Sequence, residues 1–427
     1  MIRRIEALNY RCLRYVSQPL RHFHVLVGPN ASGKSTFLDV LGLIRDLLTR
    51  GLDDAILARE DLRESIGRAR RVDELIFNQM ADRFELAIEL EIPDELRKST
   101  ENNRYQIARY ELAIGKGAAG DELTIVNEAL WLCPERVSRT TPQASSFPNE
   151  LTPPASVLAK RARKGWHKVI SKTEKGYHTI NSEIGIWSGS GTLRINPRGP
   201  ALTYLLQGEE FFPVALWVQS LLMGGIRVLA LNSAAMRRPS SPSVQRAFRT
   251  DGSNLPLVVR DLRNRHEKDF KDWLEHLRIV LPNLQTIDVI ERPEDRHLYL
   301  NVHYSNLEHP VPSWLLSDGT LRLFALTLLA YLPHNGEVYL IEEVENGIHP
   351  RAIEAIFDSL SSVYDGQVLL ATHSPLIVGL TKPEQVLCFA KNPSGATSIV
   401  RGSEHPKLRD WRGQVDLGTL YAAGVLG

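Results

Sequence analysis

The chain has 427 residues, enough for two or three structural units around more than one core. It is 43% hydrophobic and 24% charged with a formal net charge of +1, so no global field draws it to nucleic acid or an anionic membrane, and any such binding must come from a local patch. Cys12, Cys133 and Cys388 are too few for a disulfide framework and lack metal-ligand spacing, and they read as buried thiols in a reducing cytosol. The opening MIRRIE carries charge where a signal peptide needs an apolar stretch, and apolar runs such as Leu323–Leu332 fall short of a membrane span. The expectation is a soluble, cytoplasmic protein.

In chain order, HFHVLV (22–27) predicts a short apolar strand running into GPNASGKST (28–36). FLDVLGLIRDLL (37–48) follows with helical spacing. From 84 to 133 the text alternates, in FELAIELEI, YQIARYELAI and LTIVNEALWL, which predicts a β-meander. Residues 140–155, rich in Thr, Ser and Pro, read as a loop and a boundary. The next hundred residues mix a basic segment, Gly/Ser turns at 188–191, an apolar helix at Val214–Leu222 and a loop at Arg237–Pro242. One long amphipathic helix is expected from Leu255 to Leu281, its stripe formed by Leu255, Val258, Val259, Leu262, Phe270, Trp273, Leu274, Leu277 and Leu281. Strands at 286–291 and 297–304, WLLSDGT (314–320), a helix at Leu321–Leu332, a buried strand at 338–341, a helix at 351–363 and the strand QVLLAT (367–372) complete the pattern.

Gly28-x-x-x-x-Gly33-Lys34-Ser35 is a phosphate loop, with strand before and helix after. Its glycines let successive backbone N–H groups of Gly28, Pro29, Asn30, Ala31, Ser32 and Gly33 (proline excepted) curl around a phosphate, and the helix directs its positive end at the anion. Lys34 reaches the β/γ-phosphates of ATP, and Ser35, with Thr36 beside it, offers a hydroxyl to Mg²⁺. VYLIEEVENGIHP (338–350) ends an apolar strand in two acids: Glu342 for the metal shell and Glu343 to polarise the attacking water. The first acid of such a pair is usually Asp, and the extra methylene of Glu342 moves the carboxylate by about 1.5 Å.

Leu316-Ser317-Asp318-Gly319-Thr320 before a helix is, taken alone, an ordinary N-cap. Placed shortly before the carboxylate strand it resembles the signature loop of ABC-type ATPases in the RecF/SMC variant, where Ser317, the Gly319 amide and the helix end form a second anion site. His373, after QVLLAT, stands where a histidine can bond a γ-phosphate and sense its loss. With these four elements in order, the chain resembles a RecF/OLD-type ATPase over roughly 1–135 and 250–427. Its further marks are Asn9-Tyr10-Arg11, Asn30 and ENGIHP (345–350), with Val344 where the family usually has Pro.

The resemblance implies an α/β, ABC-type P-loop NTPase fold with a mixed sheet, a β-meander lobe and an inserted α+β segment. The units expected are 1–139 (P-loop and meander), 140–250 (insertion) and 251–427 (signature loop, carboxylate strand and histidine). It also implies a homodimer closed around ATP–Mg²⁺, the signature loop facing the opposite subunit's γ-phosphate, and a D-loop at Glu345–His349 along the interface. Arg11 is a candidate for the adenosine or phosphates, and Gln143 and Glu128 are alternatives for the Q-loop. No coiled-coil arm is present, and the 54 residues after His373 are too few for a nuclease domain. Their acids Asp410 and Asp416, beside Arg409 and Arg412, read as surface pairs.

Lys160, Arg161, Arg163, Lys164, Lys168, Lys172 and Lys175 share one stretch with Trp166 and a single acid, Glu174. As a hairpin this is a solvated surface, a DNA contact or a docking face for a protein. Three functions compete. One is an ATP-driven dimeric switch controlling a separately encoded effector, a nuclease or toxin of anti-phage defence. A RecF-like DNA-repair ATPase is the second, and a transporter's nucleotide-binding subunit, ill-suited to the long middle segment, is the third. No membrane partner is expected.

Overall fold

The computed structural model describes residues 1–57, 67–100, 104–117, 122–134, 146–183, 191–194, 196–205, 211–243, 247–334, 336–409, 411, 413 and 415–426. Gln143, Asp410, Arg412 and most of the turn expected at 188–191 lie outside them.

The alternating text becomes an antiparallel sheet of eight strands. Their order is Leu13–Pro19, Ile2–Tyr10, Arg83–Glu91, Ile107–Lys116, Leu123–Cys133, His167–Thr173, Tyr177–Ile180 and Gly191–Arg194. Register lines up Ile5, Ile88, Tyr110, Leu130 and Ile170 across five strands. That face packs with Phe37 and Leu41 of the helix Lys34–Arg50 in one core, as period-two patterning requires. The polar face is buried as well. Arg109 lies 2.6 Å from Glu6, 3.0 Å from Glu89 and 2.7 Å from Glu111, and it donates to the Val157 carbonyl at 2.8 Å. Residues 156–159 form a strap over this network, with Ser156 Oγ and Val157 N donating to Glu85 and Ala159 N to Glu111.

A second sheet of six strands runs Ile226–Leu229, Val338–Glu342, Gln367–Ala371, Phe23–Val27, Val386–Lys391 and Thr397–Arg401, parallel except for the last. Phe23–Val27 and Gln367–Ala371 are buried throughout, as parallel strands with both faces covered must be. The fold is the expected mixed α/β arrangement with a meander lobe. The segment 140–250, however, is not an insertion standing apart. His167–Thr173 and the two strands after it extend the meander sheet, while Ile226–Leu229 pairs in parallel with the carboxylate strand of the other.

Two further expectations are corrected. The long helix at 255–281 is two helices, Leu255–Arg265 and Glu267–Val280, broken at His266. The run Arg263–Asp269 contains no apolar side chain to pack and hold that turn, whereas the stripe on either side is buried in one core. The basic segment does form a hairpin, but its cations share no face. Lys172 is fully buried, donating to the carbonyls of Pro197 and Gly199. Burial draws its pKa down to about 8, against the pull of Glu128. Lys168 lies 4.3 Å from the Trp131 ring centroid, and Lys160, Arg161, Arg163 and Lys164 are exposed ahead of the hairpin. Among the described residues no helix is long and apolar enough to cross a membrane.

His24 sits inside the strand that leads to the phosphate loop and is fully buried. Its Nε2 accepts from Arg21 N at 2.9 Å while Nδ1–H donates to the Gln385 carbonyl at 3.1 Å, so the ring is held neutral. Burial lowers its pKa to about 4. The unfolded chain takes a proton that the folded chain resists, so stability from this group is present above about pH 6.5 and is lost as pH falls toward 4. We expect His24→Asn to flatten the fall in unfolding free energy between pH 7 and 5 relative to the unsubstituted protein, by about 1–2 kcal/mol. Parallel denaturation curves at the two pH values check it, and identical slopes would remove His24 from the account.

Candidate nucleotide site

Register places the ends of three neighbouring parallel strands at one level: Glu342 pairs with Ala371, and Ala371 with Leu26. The crevice beyond the carboxyl ends of such strands is where ligands of open α/β sheets bind. Into it project the phosphate loop, the two acids and His373. They line a cleft of about 330 Å³ with Cys12, Asn30, Ala31, Ser32, Gly33, Lys34, Ser35, Thr36, Glu342, Glu343 and Ala371. Cys12 is only partly buried, not the enclosed thiol expected from sequence.

Two glycines are sterically required. Gly28 has φ 148°, and a Cβ there would lie 2.2 Å from the Phe389 carbonyl oxygen. Gly33 has φ 106°, and a Cβ would lie 2.3 Å from Thr397 Oγ1, which itself donates to the Ser32 carbonyl at 2.9 Å. No side chain caps the helix Lys34–Arg50 at its start. Its first N–H groups are therefore available to an anion. Gly28 and Pro29 stand behind the loop, their carbonyls accepting from Lys34 Nζ at 2.8 and 3.0 Å. Burial lowers the Lys34 pKa, against Glu342 and Glu343.

Ser35 Oγ donates to Glu342 Oε2 at 2.5 Å, so the longer side chain at 342 still reaches the hydroxyl. Among the described residues no group of three His, Cys, Asp or Glu gathers to hold a metal. Two hard oxygen donors beside a phosphate cradle fit Mg²⁺, which keeps waters and takes phosphate oxygens as further ligands. Glu343 adopts a left-handed backbone, φ 49°, rare for a residue with a long side chain. Its N–H donates to Ala371 O at 2.8 Å, and Asn346 Nδ2 donates to its carboxylate at 2.5 Å. Strain at such a residue persists where the surroundings impose it, which accords with a functional placement.

Sequence reading missed Tyr421 here, and it placed Glu345 in a loop along a dimer interface without its contacts to the histidine strand. Glu345 Oε1 accepts from Thr372 Oγ1 and from His373 N, both at 2.8 Å, tying the loop after the acids to the histidine strand. Tyr421 reaches the site from the last helix, Leu417–Ala422, with its hydroxyl 3.3 Å from Gly28 O and 3.5 Å from His373 Nδ1. No motif announces either contact. Asp416, expected in a surface pair, caps that helix through Thr419 N at 2.9 Å. Two other candidates fall away from the cleft. Glu128 is buried in the meander, accepting from Tyr110 OH and from Ala201 N and Leu202 N. Arg11 turns to Asp39 and the Arg68 carbonyl.

Ser317 and Gly319 line a different cleft, of about 580 Å³, with Arg237, Leu281, Gly347 and His349. Ser317 Oγ accepts from Thr320 N at 3.1 Å as the cap of the helix Asp318–Leu328. Arg237, unnoticed in the sequence, fixes the loop by donating to Leu316 O and pairing with Asp318 at 2.5 Å. A Cβ at Gly319 would lie 2.7 Å from Gly347 O, so the signature and D-loop segments touch.

Fold and cleft define a P-loop nucleotide-binding domain of the ABC-type architecture. The chain belongs to the AAA-domain family described as "AAA domain, putative AbiEii toxin, Type IV TA system", matched over residues 23–143 and 205–379. Among solved structures it is similar to an Smc head bound to the C-winged helix domain of ScpA, at 14% identity and TM-score 0.51, over 93% of this chain and 97% of that one. It is also similar to an Smc head of Pyrococcus furiosus bound to the C-terminal domain of ScpA, at 11% identity and TM-score 0.47, over 93% and 95%. An SMC head from Thermotoga maritima matches at 10% identity and TM-score 0.39, over 94% and 98%. No curated protein sequence matches the chain.

Lys34→Ala removes the only side-chain ammonium among the residues lining the cleft. We expect ATP affinity to fall by about tenfold to a hundredfold, as the loss of a charge-assisted contact to phosphate implies. Titration calorimetry measures it, and unchanged affinity would place the nucleotide elsewhere.

Proposed function

We propose that this chain is an ATP-hydrolysing switch of the RecF/OLD type in which two copies close around ATP–Mg²⁺. The closed or open state then controls a separately encoded effector, a nuclease or toxin of anti-phage defence. One observation carries the dimer: the phosphate-loop cleft and the signature cleft of a single chain share no lining residue. In this reading the signature loop that meets the γ-phosphate comes from a second copy. Trp314 and Leu315, exposed immediately before Ser317, offer apolar surface at the same place.

Each residue of the cleft has a role in this reading. The uncapped helix start and Lys34 bind the β/γ-phosphates. Ser35 and Glu342 hold Mg²⁺, which supplies charge neutralisation on the phosphate oxygens when bound. Glu343 takes a proton from the attacking water at its carboxylate, and His373 bonds the γ-phosphate. Ser317 and the Gly319 amide give the second subunit's anion site. The family description, with its toxin–antitoxin setting, is in keeping with an effector-linked role. The exposed Lys160, Arg161, Arg163 and Lys164 favour a second reading, a RecF-like DNA-binding ATPase of repair. Stimulation of ATPase activity by DNA would select that reading.

Glu343→Gln should retain ATP binding and slow hydrolysis by at least about a hundredfold, a drop typical of losing a general base. Phosphate release measures it, and normal turnover would move the role to Glu342. Mixed dimers of Lys34→Ala and Ser317→Arg chains carry one composite site with both lesions and one with neither. They should regain up to about half of the activity expected for two independent sites. Dead mixtures with proven heterodimers would count against action in trans.

A further inference from the structure

The last helix, Leu417–Ala422, lies beyond the part of the chain matched to the family, which ends at residue 379. It packs against the short helix Pro375–Gly379 that follows His373 so closely that a Cβ at Gly418 would lie 2.1 Å from Pro375 O. Tyr421, half-buried, is thereby placed between the phosphate loop and the histidine. We propose that Tyr421 is a positioning residue for both, and that through it the C-terminal helix reads whether nucleotide is bound. This rests on the nucleotide reading of the cleft.

The Gly28 carbonyl has two donors, Lys34 Nζ at 2.8 Å and the Tyr421 hydroxyl at 3.3 Å. Lys34 also holds Pro29 O at 3.0 Å. When its ammonium turns to the phosphates, it leaves Gly28 O behind, and a buried carbonyl without a partner is costly. Tyr421 is the group that keeps that carbonyl satisfied, so it lowers the cost of releasing Lys34 to ATP. With its proton on Gly28 O, the same hydroxyl offers its oxygen to Nδ1–H of His373, 3.5 Å away. That contact orients the ring in the cleft it lines, with Nε2 free for the nucleotide. Tightening at Gly28 and His373 thus draws on the C-terminal helix, which is held between Asp416, capping its start, and the contact at Pro375.

Tyr421→Phe keeps the ring and removes only the hydroxyl. It is expected to weaken ATP binding about fivefold, the value of one neutral hydrogen bond, and to lower kcat about tenfold through the loosened histidine. The kcat effect should vanish in a His373→Ala background, whereas the effect on ATP affinity should persist there. Unchanged affinity and kcat, or a kcat loss of equal size without His373, would overturn the proposal. If Lys34→Ala still binds ATP, it is the nucleotide reading that fails instead. Hydrogen exchange on the unsubstituted protein tests the coupling without any variant. Addition of ATP should change the protection of amides 417–422, and no change there would overturn the role of the helix.

Discussion

A phosphate anion can be held without water only where fixed donors and positive charge already converge, and the core of this molecule is arranged to make that convergence. What decides it is the shared level of three strand ends. Phe23–Val27, Val338–Glu342 and Gln367–Ala371 are buried parallel strands held in one sheet. Their burial fixes where Gly28, Glu342 and the Thr372–His373 pair emerge. An uncapped helix start and a lysine parked on two carbonyls then face two carboxylates across a small cleft. Each of these is costly in isolation and is relieved by a ligand carrying the opposite charge.

The meander sheet serves the same end from the other side. Its apolar face packs on the phosphate-loop helix, and its polar face is closed by Arg109 against Glu6, Glu89 and Glu111. Burial pushes the Glu89 carboxyl up, opposed by Arg109 and Arg4. Removing the Arg109 guanidinium would leave three enclosed carboxylates with one cation, Arg4, and a few neutral donors such as Ser17 Oγ and Ala159 N, a large penalty for buried charge. The phosphate-loop helix is therefore backed by a sheet whose register is pinned on both faces.

Most of the cleft was legible in the sequence because its chemistry is local. A glycine loop between strand and helix, two acids ending an apolar strand, and a histidine ending another each occupy a few consecutive residues. Their joint position follows once the strands are adjacent. The residues that escaped reading act across long separations. Tyr421 meets Gly28 from 393 residues away, and Arg237 steadies Leu316 from 79 away. Neither belongs to a periodic or spaced pattern. The break at His266 was hidden because an amphipathic stripe reports which side is buried and is silent on whether the backbone continues. The middle segment misled for a related reason: its strands are ordinary, and only pairing reveals that they join two different sheets.

The separation of the two clefts leads to the central claim, that a second copy completes the site. A structure of Glu343→Gln with ATP and Mg²⁺ tests it most directly. The account predicts two chains around the nucleotide, residues 28–36 of one and Ser317 of the other on the same γ-phosphate. A single chain holding ATP at its phosphate loop, with its own Ser317 folded over that phosphate, would contradict it.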